Sequence, residues 1–185
     1  MKSTLIIIIL VTVSCAAPNN LINSEPHLYT VENGNGIKTT VKSHQIGKIP
    51  NTSFDHLKNY LTEIVDYDLD FQKKIVINFI DSDPKTHQKN HRVPWDIFYG
   101  NLKDDLNSIE PCNHIWSINK NVKNLYYYHG KTINWTTDEK NYIRELFFKY
   151  NGLNGGFVII KPDGHYFLKR GEYTKSNILN TLKDF

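Results

Sequence analysis

The sequence predicts an α/β domain in which a central mixed sheet is flanked by helices and closed by a C-terminal β-hairpin and helix. Short apolar runs interleaved with helical periodicities carry that expectation. Ile75-Val76-Ile77-Asn78-Phe79-Ile80 and Phe157-Val158-Ile159-Ile160 are too short for helices and apolar almost throughout, as strands covered on both faces are. Between and around them, apolar residues recur at helical spacing.

The closing stretch carries the densest local signals. After Phe157–Ile160, Lys161-Pro162-Asp163-Gly164 predicts a reversal, with Pro162 pre-set for the first corner of a type I turn and Gly164 free to take positive φ. A strand from His165 to Lys169 follows. Thr174 then predicts the cap of a helix whose Ile178, Leu179, Leu182 and Phe185 share one face, with Tyr173 placed to staple onto Ile178.

Earlier in the chain, Phe54, Leu57, Leu61, Ile64 and Val65 predict a helix behind a Thr52/Ser53 cap. Asp83 and Pro84 suit a helix start, but Lys85 to Arg92 has no apolar face and reads equally as exposed helix or loop. Trp95, Phe98, Leu102, Leu106 and Ile109 predict a second amphipathic helix that runs through Gly100 and ends by Pro111. Cys112 to Ile118 reads as a strand and Asn119 to Asn134 as a loop. Thr136 and Glu139 form a capping-box pattern ahead of a helix with Tyr142, Ile143, Leu146, Phe147 and Tyr150 on its buried stripe.

The chain has 185 residues, enough for one domain with a sizeable core. Its formal charge is +3, from 22 Lys and Arg against 19 Asp and Glu, with the signs mixed along the sequence. Such mixing argues against nucleic acid as a partner.

The N-terminus predicts export. Lys2 supplies a positive charge, Leu5 to Val13 an apolar core shorter than a membrane span, and Ser14-Cys15-Ala16-Ala17 small residues at a cleavage point. Thr12-Val13-Ser14-Cys15 resembles the lipobox of bacterial lipoproteins, with Thr12 where a leucine is commoner. That resemblance implies a signal peptide over 1–14, lipidation (palmitate) at Cys15, and a membrane-anchored protein of the bacterial cell envelope. Cleavage after Ala17, giving a secreted soluble protein without Cys15, is the alternative. Residues 15–50, poor in large aliphatics, are expected to form a flexible tether, although Leu28–Val31 and Ile37–Val41 around Asn33-Gly34-Asn35-Gly36 also suit a hairpin.

Over residues 51–185, the order of elements resembles the thioredoxin-like fold. Ile75 to Pro84 and Gly156 to Gly164 carry the resemblance, which implies a three-layer domain. It also implies a Cys-x-x-Cys pair in the loop after the first core strand, where a helix N-terminus lowers a thiol pKa. This chain has Asp81-Ser82-Asp83-Pro84-Lys85-Thr86 there, and Leu153-Asn154-Gly155-Gly156 where the family has a cis-proline before the hairpin. Dithiol exchange is therefore not expected, and no cofactor is implied.

Several residues remain as candidates for chemistry. Cys112, with His114 two positions on, suits a single-cysteine thiol enzyme of peroxidase or mixed-disulfide type, against the plainer expectation of a buried structural thiol. His87 and His91 share the i, i+4 spacing of a metal pair, but two ligands do not close a site and a solvated polar segment is the plainer reading. Asp66, Asp68 and Asp70 lack the central glycine and closing glutamate of a calcium loop. Tyr126, Tyr127, Tyr128 and Trp135 either anchor a partner, such as an envelope protein, or fold inward onto the core. The expected function is an exported, membrane-tethered binding or accessory module without dithiol activity, with the thiol enzyme as the alternative.

Overall fold

A computed structural model of the chain describes residues 20–32, 35–83, 95–150 and 154–185. The elements in chain order are β1 (Leu28–Glu32), β2 (Lys38–Lys42), β3 (His44–Lys48), α1 (Asn51–Ile64), β4 (Lys74–Ile80), α2 (Leu102–Ile109), β5 (Cys112–Asn119), β6 (Thr136–Asp138), β7 (Gly155–Ile160), β8 (His165–Arg170) and α3 (Lys175–Asp184). A six-stranded mixed sheet runs β3-β8-β7-β4-β5-β6. β4 lies parallel to β5 and antiparallel to β7, and β7 pairs antiparallel with β8. The strand order β5-β4-β7-β8, a parallel pair beside an antiparallel hairpin and followed by a helix, is the thioredoxin-like arrangement.

β4 is central because both its faces are apolar. Ile75, Ile77 and Phe79 pack with Leu57 and Leu61 of α1 and with Phe147 and Phe148. Val76 and Ile80 face the opposite layer, with Leu102 and Leu106 of α2 and Ile178 and Leu182 of α3. Each such buried side chain contributes about 1.5–3 kcal/mol, so the two layers hold the sheet from both sides. The closing hairpin forms as its residues dictate: Gly164 takes φ 84° and donates to Lys161 O at 2.9 Å. Thr174 caps α3 in a reciprocal box with Asn177, and Tyr173 joins the same core layer as Ile178.

Four local expectations are corrected. Part of the stretch read as a tether is structured: β1 and β2 pair antiparallel as a hairpin, and β3 adds an edge strand to the sheet against β8. The edge strand β3 needs little hydrophobic content of its own because backbone pairing with β8 holds it in the sheet. Helix α1 starts at Asn51 after Pro50, with no side-chain cap from Thr52 or Ser53; Pro50 O accepts from Phe54 N at 2.9 Å instead.

The predicted second helix is divided. Asp96–Phe98 is a 3-10 turn, the chain breaks at Gly100 (φ 75°), and α2 begins behind Asn101, whose Oδ1 accepts from Asp104 N at 3.4 Å. Thr136 opens no helix, because Thr136–Asp138 pairs in parallel with Ser117–Asn119 as β6. The following helical turn is instead capped by Asp138, which accepts from Ile143 N (3.3 Å) and Arg144 N (2.9 Å). Residues Arg144–Phe148 wind as a π-helix, which turns Phe148 into the core and leaves Tyr150 exposed.

The signal segment, Cys15, Pro84, His87, His91 and Asn151-Gly152 lie outside the described residues. Among the described residues no helix is long and apolar enough to cross a membrane, and no cluster of three metal-ligating side chains occurs.

Candidate functional site

The loop after β4, where the fold family keeps its thiols, is occupied by residues tied into the scaffold. Asp81 Oδ1 accepts from Arg144 Nε at 2.8 Å and from Asn119 Nδ2 at 2.9 Å, joining the ends of β4 and β5 to the π-helical turn. Ser82 donates to Asn154 Oδ1 at 3.1 Å, and its carbonyl accepts from Tyr128 Oη at 2.6 Å. Asp83 accepts from the backbone of Lys123 and Asn124. The hydrogen-bonding oxygens of this loop thus face structural partners.

Cys112 stands at the start of β5, buried, with its backbone N–H donated to Asn107 Oδ1 at 3.2 Å. Burial pushes its thiol up to about 11, and the Glu110 carboxylate adds to the rise against the opposing charge of Lys74. A nucleophilic cysteine needs the reverse.

His114 does not serve Cys112. Its Nε2 lies 2.8 Å from Asn78 Oδ1, while Asn78 Nδ2 donates to Tyr173 Oη. With its amide nitrogen committed to Tyr173, Asn78 turns its oxygen to the ring, so Nε2 carries the proton and donates. Burial, with a smaller effect from the Lys103 charge, lowers the imidazole to about 3, so His114 is neutral at physiological pH.

His114 instead lies in the wall of a cleft of about 510 Å³, a size typical of small-molecule sites. Tyr67, Phe98 and Trp116 give it aromatic surface; Asn101, Lys103 and Thr132 are among its polar groups. α2 presents its first turn to the cleft because Gly100 redirects the chain there. Tyr67 is fastened by its hydroxyl, which donates to His114 O at 2.7 Å, and burial followed by the Asp66 charge raises its phenol to about 12.

The tyrosine-rich segment forms the packing behind this cleft. Tyr127 and Tyr128 are buried, whereas Tyr126 and Trp135 are half-buried against the same core layer. Trp135 Nε1 donates to Tyr128 O at 2.9 Å and its ring meets Trp116 edge-on at 5.2 Å. The structure therefore brings His114 and the aromatic segment to one region and leaves Cys112 out of it. Sequence reasoning missed Tyr67, Phe98, Lys103 and Trp116 as neighbours of His114. They come from separate segments, and no local motif joins them.

No protein-family model and no curated protein matches the sequence. The structure is similar to the exposed lipoprotein thioredoxin Etrx1 of Streptococcus pneumoniae strain TIGR4 at 12% identity and a TM-score of 0.40, covering 86% of this chain and 100% of that one. It is similar to a secreted Mycobacterium tuberculosis disulfide oxidoreductase homologous to E. coli DsbE (12% identity, 85% and 96% covered, TM-score 0.38). A third similar structure is the thioredoxin domain of a thiol-disulfide oxidoreductase from Bacteroides vulgatus (12% identity, 88% and 95% covered, TM-score 0.39). The class of protein is defined by its own strand order and register: an α/β domain of thioredoxin-like fold.

Proposed function

We propose that this chain is an exported binding or accessory module of the cell envelope, tethered to a membrane by lipid at Cys15 and without dithiol exchange activity. One observation carries the reading: the described thiol, Cys112, is buried and pushed up to about 11, away from the loop where the fold family works. Two cysteines, at positions 15 and 112, cannot supply a Cys-x-x-Cys pair within this sequence. In their place Asp81, Ser82 and Asp83 brace the sheet end, a structural use of the loop.

The test is the alkylation rate of Cys112 as a function of pH, in folded and in denatured protein. Reaction that waits for unfolding is the expected result. Rapid reaction of the folded protein with a midpoint well below the free-cysteine value of about 8.5 would overturn the reading in favour of thiol chemistry.

A further inference from the structure

The cleft beside His114 has an uneven charge inventory. Among the described residues that line it, Lys103 is a cation and none is a carboxylate. Of the two acids next to Lys103 in sequence, Asp105 pairs with Lys175 at 2.9 Å, while Asp104, outside the lining, accepts from Nδ2 of the lining residue Asn101 at 2.6 Å. Asp66, beside Tyr67, accepts from Asn134 at 3.5 Å. Lys103 Nζ itself stands 5.5 Å from the Tyr67 ring centre, over its face, and has no ion-pair partner among the described residues. An ammonium held against an aromatic wall without a counter-ion is half of an anion site.

The other half is directional. His114 is 95% buried, since its relative exposure is 5%. Its Nε2–H is spent on Asn78, which leaves Nδ1 as a lone-pair acceptor with no hydrogen-bond partner among the described residues. The chain Tyr173–Asn78–His114 fixes the ring and its tautomer, so that acceptor is pre-organised. Phe98 and Trp116, with ring centres 5.7 Å apart, supply planar apolar surface beside it.

We propose that this cleft binds a small aromatic anion, a planar ring that carries a carboxylate, with Lys103 meeting the carboxylate, Trp116 and Phe98 meeting the ring, and His114 Nδ1 accepting from a ring N–H or O–H. This deepens the binding reading above and rests on it. A cationic ligand is disfavoured because it would meet Lys103 with no acid in the lining to offset the repulsion. A purely apolar ligand would cover the His114 Nδ1 acceptor without offering it a donor, which costs affinity.

The test uses the full chain, indole-3-acetate as probe, and tryptamine as the same ring system bearing the opposite charge, followed by protein-observed NMR. Saturable shifts at Trp116 and Lys103 with indole-3-acetate, and binding of tryptamine at least about fivefold weaker, are expected. Lys103→Met, at an exposed position that does not threaten the fold, should weaken indole-3-acetate by roughly three- to tenfold and abolish the preference. Raising the salt to about 0.3 M should weaken wild type and leave the variant unmoved. No saturable shift in the cleft, equal affinity for the two probes, or a preference that survives Lys103→Met would overturn the assignment. Because Cys112 does not line the cleft, failure here with an unreactive thiol removes the ligand class alone, whereas a reactive thiol removes the non-redox module itself.

Discussion

Tyr60 on α1 donates its phenol hydrogen to Asp138 Oδ1 at 2.7 Å, joining residues 78 apart in sequence. Asp138 is fully buried and is also the cap of the π-helical turn, so one carboxylate ties α1, β6 and that turn together. Tyr60→Phe keeps the packing and deletes the bond to Asp138 together with the longer one that the hydroxyl accepts from Lys140 N at 3.3 Å, and should cost about 1–3 kcal/mol. Urea unfolding measures it; a change below about 0.5 kcal/mol would mean that Asp138 is satisfied by the backbone alone.

Buried phenols set an alkaline limit. Partial desolvation raises Tyr67, which is 40% exposed, to about 12, and burial raises Tyr60, Tyr128 and Tyr173 further. In the unfolded chain these groups ionise near 10. Their folded values lie higher, so their contribution is complete below pH about 10 and declines as pH rises through 10 to 12 and beyond. The urea midpoint should therefore fall steeply above pH about 10, and a flat profile up to pH about 12 would contradict the burial of these hydroxyls.

His114 sets an acid limit of the opposite origin. Its folded value of about 3 is below the ordinary 6.5, so the unfolded chain takes up a proton first as pH falls. The stability it confers is complete above about 6.5 and is lost as pH drops toward 3, at up to about 1.4 kcal/mol per pH unit. His114→Gln should flatten this part of the profile. Observation of an imidazolium signal from His114 in folded protein near pH 6 would refute the assigned environment.

Gly156 sits where the sheet leaves no room for a side chain. A Cβ there would lie 2.0 Å from Lys169 O and 2.9 Å from the Phe148 ring. Since β8 cannot move away without breaking its pairing, Gly156→Ala should cost more than about 3 kcal/mol or prevent folding. Thermal unfolding decides it, and a variant within about 1 kcal/mol of wild type would show that the strand pair yields.

At the other end of the chain, the proposed lipid tether at Cys15 predicts that labelled palmitate is incorporated by the protein and lost in Cys15→Ala. Label that persists in the variant would remove the anchor from the proposed function.

Much of the fold was legible because local and global signals agreed. The apolar runs of β4 and β7 announce two-sided burial, and Pro162, Gly164 and Thr174 mark the turn and cap that the structure uses. Legibility failed where tertiary partners outweighed local preference. Thr136 has the sequence of a helix cap, but hydrogen bonding along Ser117–Asn119 draws it into β6. The modest Lys38–Lys48 segment lacks the hydrophobicity of a core strand, and its pairing depends on β1 and β8 rather than on its own side chains.

The sequence by itself determined the layered α/β plan, the closing hairpin and helix, and the lack of a Cys-x-x-Cys pair, because periodicity, turn chemistry and residue identity are local properties. Only the tertiary structure decided that Cys112 and His114 part company. It commits the imidazole to Asn78 and places it in a cleft with Lys103, Tyr67 and Trp116. Those neighbours come from separate stretches of the chain, and the desolvation that sets both pKa values arises only when the layers close around β5.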